Sequence, residues 1–189
     1  MVKRPRKPPS KPLLNEDDAS LRGGRRRPRD PAQPALPFDP MPARIVPCLA
    51  ELMPKAPSGV RWSYEVKWDG YRIAVHRERD KVRIITRGGY DWTTRFPVIA
   101  DAARDLAAET AVIDGEAVVL DAVGKSDYNA LVADLGGPSS KKASHRSIMM
   151  AFDLLYVDGR DLTSNAQGDR RKLLFDLVPP SATGAIQLS

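Results

Sequence analysis

The run Glu65-Val66-Lys67-Trp68-Asp69-Gly70-Tyr71-Arg72 puts a primary amine, two carboxylates and a guanidinium within eight positions. Lys67 ends an apolar stretch and stands just before an Asp-Gly turn, an odd place for a residue that only serves solubility. An amine attacks only when unprotonated, and an ordinary lysine pKa near ~10.4 leaves almost none free at neutral pH. Burial at a strand end, beside a cation such as Arg72 or a metal ion, would free the lone pair. Glu65 acts in the opposite sense, so its side chain is expected to point elsewhere. Alone, Lys-x-Asp-Gly is short enough to arise by chance, and a charged hairpin explains it equally well.

Three further segments follow: Thr86-Arg87-Gly88-Gly89-Tyr90-Asp91-Trp92-Thr93, Val112-Ile113-Asp114-Gly115-Glu116 and Met150-Ala151-Phe152-Asp153-Leu154-Leu155. In order and spacing the four resemble the successive motifs of covalent nucleotidyltransferases, the superfamily of DNA ligases, RNA ligases and capping enzymes. The wording around Lys67 and Arg87, with Phe96-Pro97 after it, looks most like the ligase domain of bacterial end-joining ligases (ligase D). The resemblance spans residues 44–177.

It implies an ATP-dependent DNA ligase adenylation domain with Mg2+ or Mn2+ as the metal. Lys67 would take AMP from ATP as a phosphoramidate. Glu65 would turn towards the base, Arg72 would hold the ribose side, and Arg87 would meet the nucleotide or the 3′-hydroxyl strand of a nick. Glu116 would bind the ribose hydroxyl or the metal, and Phe152 would stack on adenine. Asp69 would serve near the metal, with Asp114 beside it. Such roles suit phosphoryl transfer, which rests on positioning and charge neutralisation. Implied partners are nicked or broken double-stranded DNA and the Ku end-binding protein, with a monomer in the bacterial cytoplasm associated with the nucleoid. The alternatives are an RNA ligase or capping-type enzyme, or an inactive truncated remnant that binds nucleotide or DNA.

Plainer readings compete. Phe152 lies in an apolar run, where core packing is a rival. Glu116 between apolar segments is costly to bury without a partner, which favours function. Trp62, Trp68 and Trp92 read as core or groove wall, and Arg170-Arg171 as a solvated face with one of the pair free to support the site. His76 and His145 lack ligand spacing and read as surface or strand residues.

The elements that must position these residues are legible from periodicity. Residues 62–67, 71–77 and 82–86 read as strands, residues 111–113 and 117–120 as short strand segments, and residues 148–156 as a strand buried on both faces. Pro97 opens a helix with Val98, Ile99, Ala102 and Leu106 at helical spacing. Residues 127–135 form a helix stopped by Gly136-Gly137, and residues 167–177 form another. The pattern predicts an α+β fold, antiparallel sheets with flanking helices. The resemblance makes it the ATP-grasp-like nucleotidyltransferase fold of DNA ligases, incomplete because the later glutamate and lysine motifs and the OB-fold domain are absent. At least one strand edge is therefore expected to lie unpaired, with part of residues 148–156 uncovered.

Composition bounds the rest. The 189 residues carry 30 Lys/Arg and 24 Asp/Glu, a net charge of +6. Residues 1–40 contribute +5 of that and hold nine of the 17 prolines, so they read as a disordered basic tail, either a linker or an arm on DNA phosphates. The partial adenylation domain is then residues 41–189. A single cysteine, Cys48, excludes an intrachain disulfide. No apolar run approaches the ~20 residues of a membrane span.

Overall fold

The computed structural model describes residues 39–189 apart from 46, 49, 50, 61, 138, 139, 179 and 182, so the expected tail lies outside the described residues except for Asp39 and Pro40. Strands β1 (Tyr71–Glu78) and β2 (Lys81–Thr86) make a hairpin, followed by helix α1 (Pro97–Arg104) and strand β3 (Thr110–Val118). Helix α2 (Tyr128–Asp134), strands β4 (Ile148–Val157) and β5 (Arg160–Asp161), helix α3 (Gln167–Leu177) and strand β6 (Ile186–Leu188) complete the order. The strands form one sheet in the order β2-β1-β3-β4-β5, and β6 pairs with β4. Pairing from β1 to β5 is antiparallel, as expected, and β6 adds one parallel pair.

Alternation along β1 decides which face is which. Ile73 and Val75 are fully buried, and they join Ile84, Phe96, Ile99 and Leu154 in the main core. Pro97 occupies the first turn of α1, where a missing N–H costs nothing, and the helix buries Ile99, Ala100 and Ala103. Asp127 caps α2 by accepting the Ala130 N–H at 2.9 Å. The opposite face of the sheet is crossed by the chain at residues 41–45. There Met41 and Ile45 pack on Val112, Leu155 and Tyr156, and the Tyr156 hydroxyl donates to the Asp39 carbonyl at 2.6 Å.

Two expectations need correction, and a third holds only in part. Residues 62–67 form no strand, and Trp62, Tyr64 and Val66 are exposed, because no described strand lies alongside to complete a ladder. The two short segments around Asp114-Gly115-Glu116 are one continuous strand, β3, which β1 and β4 flank. The far edge of β4 is covered in part, and residues 152–155 pair with no described strand there. It pairs with β6 at Met149–Ala151 and with β5 at Tyr156–Val157, and only Ile148, Phe152 and Asp153 along it are half-buried.

The β3–β4 ladder carries two register shifts, at Val112/Ile113 and at Asp114/Gly115, which leave Leu155 and Phe152 without a cross-strand partner. An extra residue of this kind bends a strand and re-aims its side chain. Gly115 fits there because a Cβ would lie 2.6 Å from the Met150 carbonyl oxygen.

Candidate active site

Cross-strand register assembles the site. Arg72 on β1 faces Glu116 on β3, and Ala74 faces Asp114, so these side chains share one sheet face. The Arg72 guanidinium grips Asp114 in a fork, with Nε to Oδ1 at 3.2 Å and Nη2 to Oδ2 at 2.7 Å. Its remaining nitrogen donates to the Cys48 carbonyl at 2.9 Å, and its carbon lies 5.2 Å from the Phe152 ring centroid. Burial pushes the Asp114 carboxyl up, and the bonds from Arg72 oppose that shift. The bulge in β4 thus puts Phe152 beneath a cation instead of in the main core.

Glu116 is the titratable centre of this face. Burial raises its carboxyl to about 7, while the charges of Arg72 and Lys67 and the Gly70 N–H act against the rise. Gly70 brings the chain that follows Lys67 against β3. A Cβ at residue 70 would sit 2.1 Å from the Ala117 carbonyl oxygen, so only glycine lets the chain pass this close to β3. The Asp69 N–H donates to Ser126 Oγ at 3.0 Å and fastens the same turn. Lys67 itself is exposed and stands outside any strand, not at the buried strand end expected of it.

Beyond β2, the Arg87 N–H donates to the Arg72 carbonyl at 3.1 Å, and Arg44 donates to the Arg87 carbonyl at 3.3 Å. Arg44, Arg72, Arg87 and Asp114 line a cleft together with Pro47, His76 and Leu155. Three guanidiniums against one carboxylate suit an anionic ligand.

Arg72, Asp114, Glu116 and Phe152 are therefore brought together, with Arg87 in the cleft lining and Lys67 on the loop that leads into β1. Glu65 is drawn away to α3, where Arg171 Nη1 donates to its Oε1 at 2.5 Å, and no described contact joins the Asp69 side chain to Glu116. Among the described residues no group of three or more His, Cys, Asp and Glu could enclose a metal ion. Glu116, which forms no described ion pair, fits a divalent ion held mainly by substrate phosphates and one or two carboxylates.

Sequence reasoning missed several partners. Arg170 is no solvated residue: it forks onto Asp153 with Nε to Oδ1 at 2.8 Å and Nη2 to Oδ2 at 2.7 Å, both side chains largely covered. His76 lies on strand β1, one of the two expected readings, and is buried there: neither ring nitrogen meets a protein hydrogen-bond partner, and burial with nearby Arg83 pushes its pKa down to about 4. Trp62 is exposed and belongs to neither core nor groove wall, whereas Trp92 packs against Tyr71 at 5.0 Å between ring centroids. The signal for the α3 pair was adjacency: two arginines in succession reach about 100° apart around a helix.

Comparisons with known proteins converge. The model of the ATP dependent DNA ligase domain matches residues 40–189. The multifunctional non-homologous end joining protein LigD of Pseudomonas aeruginosa is 39% identical over 139 residues, covering 74% of this chain and 16% of that protein. Its counterpart from Mycobacterium tuberculosis is 41% identical over 118 residues, 62% of this chain and 15% of that protein. The crystal structure of the ligase domain from M. tuberculosis LigD matches with a TM-score of 0.52 and 35% identity, over 66% of this chain and 38% of that one. A mycobacterial DNA ligase D complexed with ATP and MES matches over the same shares with a TM-score of 0.50. The chain thus spans 15–16% of the length of these curated relatives.

Proposed function

This chain belongs to the family of ATP-dependent DNA ligase domains, and on that premise we propose that it is the adenylation part of an end-joining DNA ligase, with Lys67 as the residue that carries AMP. The observation that carries this reading is the Arg72–Glu116 cross-strand pair with Arg72 over the Phe152 ring, on the strand that the Lys67 loop leads into.

In the proposed step, Lys67 Nζ attacks the α-phosphorus of ATP, a P–N bond forms, and the bond to the β-phosphate oxygen breaks. Pyrophosphate leaves and the amine loses its protons to solvent. Arg44, Arg72 and Arg87 offer cationic contacts to the phosphates and the ribose side from the cleft wall. Adenine would stack on the Phe152 face opposite Arg72. Glu116, aided by Asp69, would hold a divalent ion whose contribution is to neutralise phosphate charge. Glu116 must be ionised for this, and its carboxyl near 7 keeps that capacity dependent on its cationic neighbours. Double-stranded DNA with a nick or break is the proposed acceptor of AMP, Ku the proposed recruiting partner, and a monomer in the cytoplasm the proposed state.

Position of the label tests the reading. ATP labelled at the α-phosphate, with Mg2+ or Mn2+, should mark the chain covalently, whereas ATP labelled at the γ-phosphate should not. Labelling by GTP in preference to ATP would shift the assignment to a capping-type enzyme. Label retained by Lys67→Ala would sink it.

A further inference from the structure

The lysine loop has no regular structure of its own to hold it. Residues 62–69 belong to no helix or strand, and Glu65, Val66, Lys67 and Asp69 are exposed. Yet the loop is tied on both sides of Lys67, and one residue of α3 takes part on each side, beside the Gln167 amide that donates to Glu65 at 3.5 Å and the Ser126 hydroxyl that accepts the Asp69 N–H. Arg171 Nη1 donates to Glu65 Oε1 at 2.5 Å, two positions before the lysine. Its Nη2 donates to the Ser189 carbonyl, and Ser189 Oγ accepts the Trp68 indole N–H at 3.0 Å, one position after the lysine.

The anchor is firm. Arg170, the neighbouring residue, forks onto Asp153 of β4, and Leu174 and Leu177 of α3 are buried, so the helix cannot drift relative to the sheet that carries Glu116. We propose that Arg171 is a positioning residue for the nucleophile: it spans the loop from Glu65 to Ser189 and so fixes where Lys67 stands over the Arg72–Glu116 face. The inference rests on the reading of Lys67 given above.

Magnitude favours positioning over stability. A half-exposed ion pair adds little to folding, whereas misplacing a reacting group by about 1 Å can cost about 100-fold in rate. Residue type points the same way. The planar fork of arginine sends separate N–H groups to two acceptors, which lysine at this position would match only in part. Arg171 also occupies the Glu65 carboxylate, which would otherwise be free to bind the Lys67 ammonium and hold it out of reaction.

Four forms of the full 189-residue chain decide the matter: the parent, Arg171→Lys, Arg171→Gln and Glu65→Gln. Backbone 15N relaxation at residues 66–68 reads the loop without any nucleotide. The proposal expects order parameters there to fall from about 0.85 to below about 0.6 in Arg171→Gln and Glu65→Gln, with the melting curve unchanged. It also expects labelling at saturating ATP to slow about 10- to 100-fold with a smaller change in KM, and Arg171→Lys to recover part of the rate. Wild-type loop order in both Arg171→Gln and Glu65→Gln would overturn it, as would a loss confined to KM. Should Arg171→Gln unfold, Glu65→Gln breaks the same pair while leaving α3 intact. A parent chain that takes no label counts against the proposed function, and the relaxation data then judge the clamp alone.

Discussion

Asp114 shows how a single residue can be both structural and poised for chemistry. Its carboxylate is almost wholly buried, and Arg72 supplies both of its charged bonds. Removing one member of such a pair leaves the other charge without compensation. Asp114→Ala is therefore expected to cost about 3 kcal/mol of stability in a denaturant titration; a loss below about 1 kcal/mol would mean that solvent already screens the pair. Gly70→Ala is expected to cost about 1–3 kcal/mol and to weaken Lys67 labelling, since the added methyl meets the Ala117 carbonyl at 2.1 Å. Unchanged melting would show that the turn can yield. At this scale the sequence was legible in part: Arg72, Glu116 and Phe152 lie together, and Lys67 stands on the exposed loop before β1. It was silent on Asp153–Arg170 and Glu65–Arg171, because a helical arginine reads alike whether it faces water or a carboxylate.

Among the elements, β1 carries both the site and a pH-sensitive burden. His76 is buried on it, and its pKa is pushed down to about 4 from an ordinary 6.5. The unfolded chain binds this proton more readily, so the contribution of His76 is intact above pH 6.5 and is lost as pH falls towards 4, by about 3 kcal/mol at most. Glu116, raised to about 7, works in the opposite sense: its contribution is intact below 4.5 and is lost as pH rises through 7. The two overlap, so the test is a difference. Stability of His76→Leu minus that of the parent should rise as pH falls from 6.5 to 4, while Glu116 cancels; parallel curves would contradict the assignment. Strand β1 was legible from its alternation of Ile73 and Val75 against Arg72 and Ala74. The bulges in β4 were not, since an apolar run looks the same with or without an extra residue. Residues 62–67 misled for a related reason: β-propensity describes a surface that fits a sheet and does not supply the neighbouring strand.

For the molecule as a whole, the described part is a sheet with helices packed on its core face and a cationic cleft on the other. The described residues of the site run from Arg44 onward. Removing residues 1–38 should therefore leave Lys67 labelling unchanged. The same truncation bears on DNA binding: a flatter dependence on salt would assign these residues to phosphate contacts through counterion release, and an unchanged slope would leave them as a linker. All of this depends on Lys67 being the carrier, and one measurement bears on that most directly. The chain is incubated with ATP and Mg2+ or Mn2+ and digested, and the peptides are mapped by tandem mass spectrometry. The expected result is a single added AMP, joined through an acid-labile P–N bond to Lys67 and absent from Lys67→Ala. AMP found on any other residue, or an unmodified Lys67 in a folded chain saturated with ATP and metal, would contradict the account.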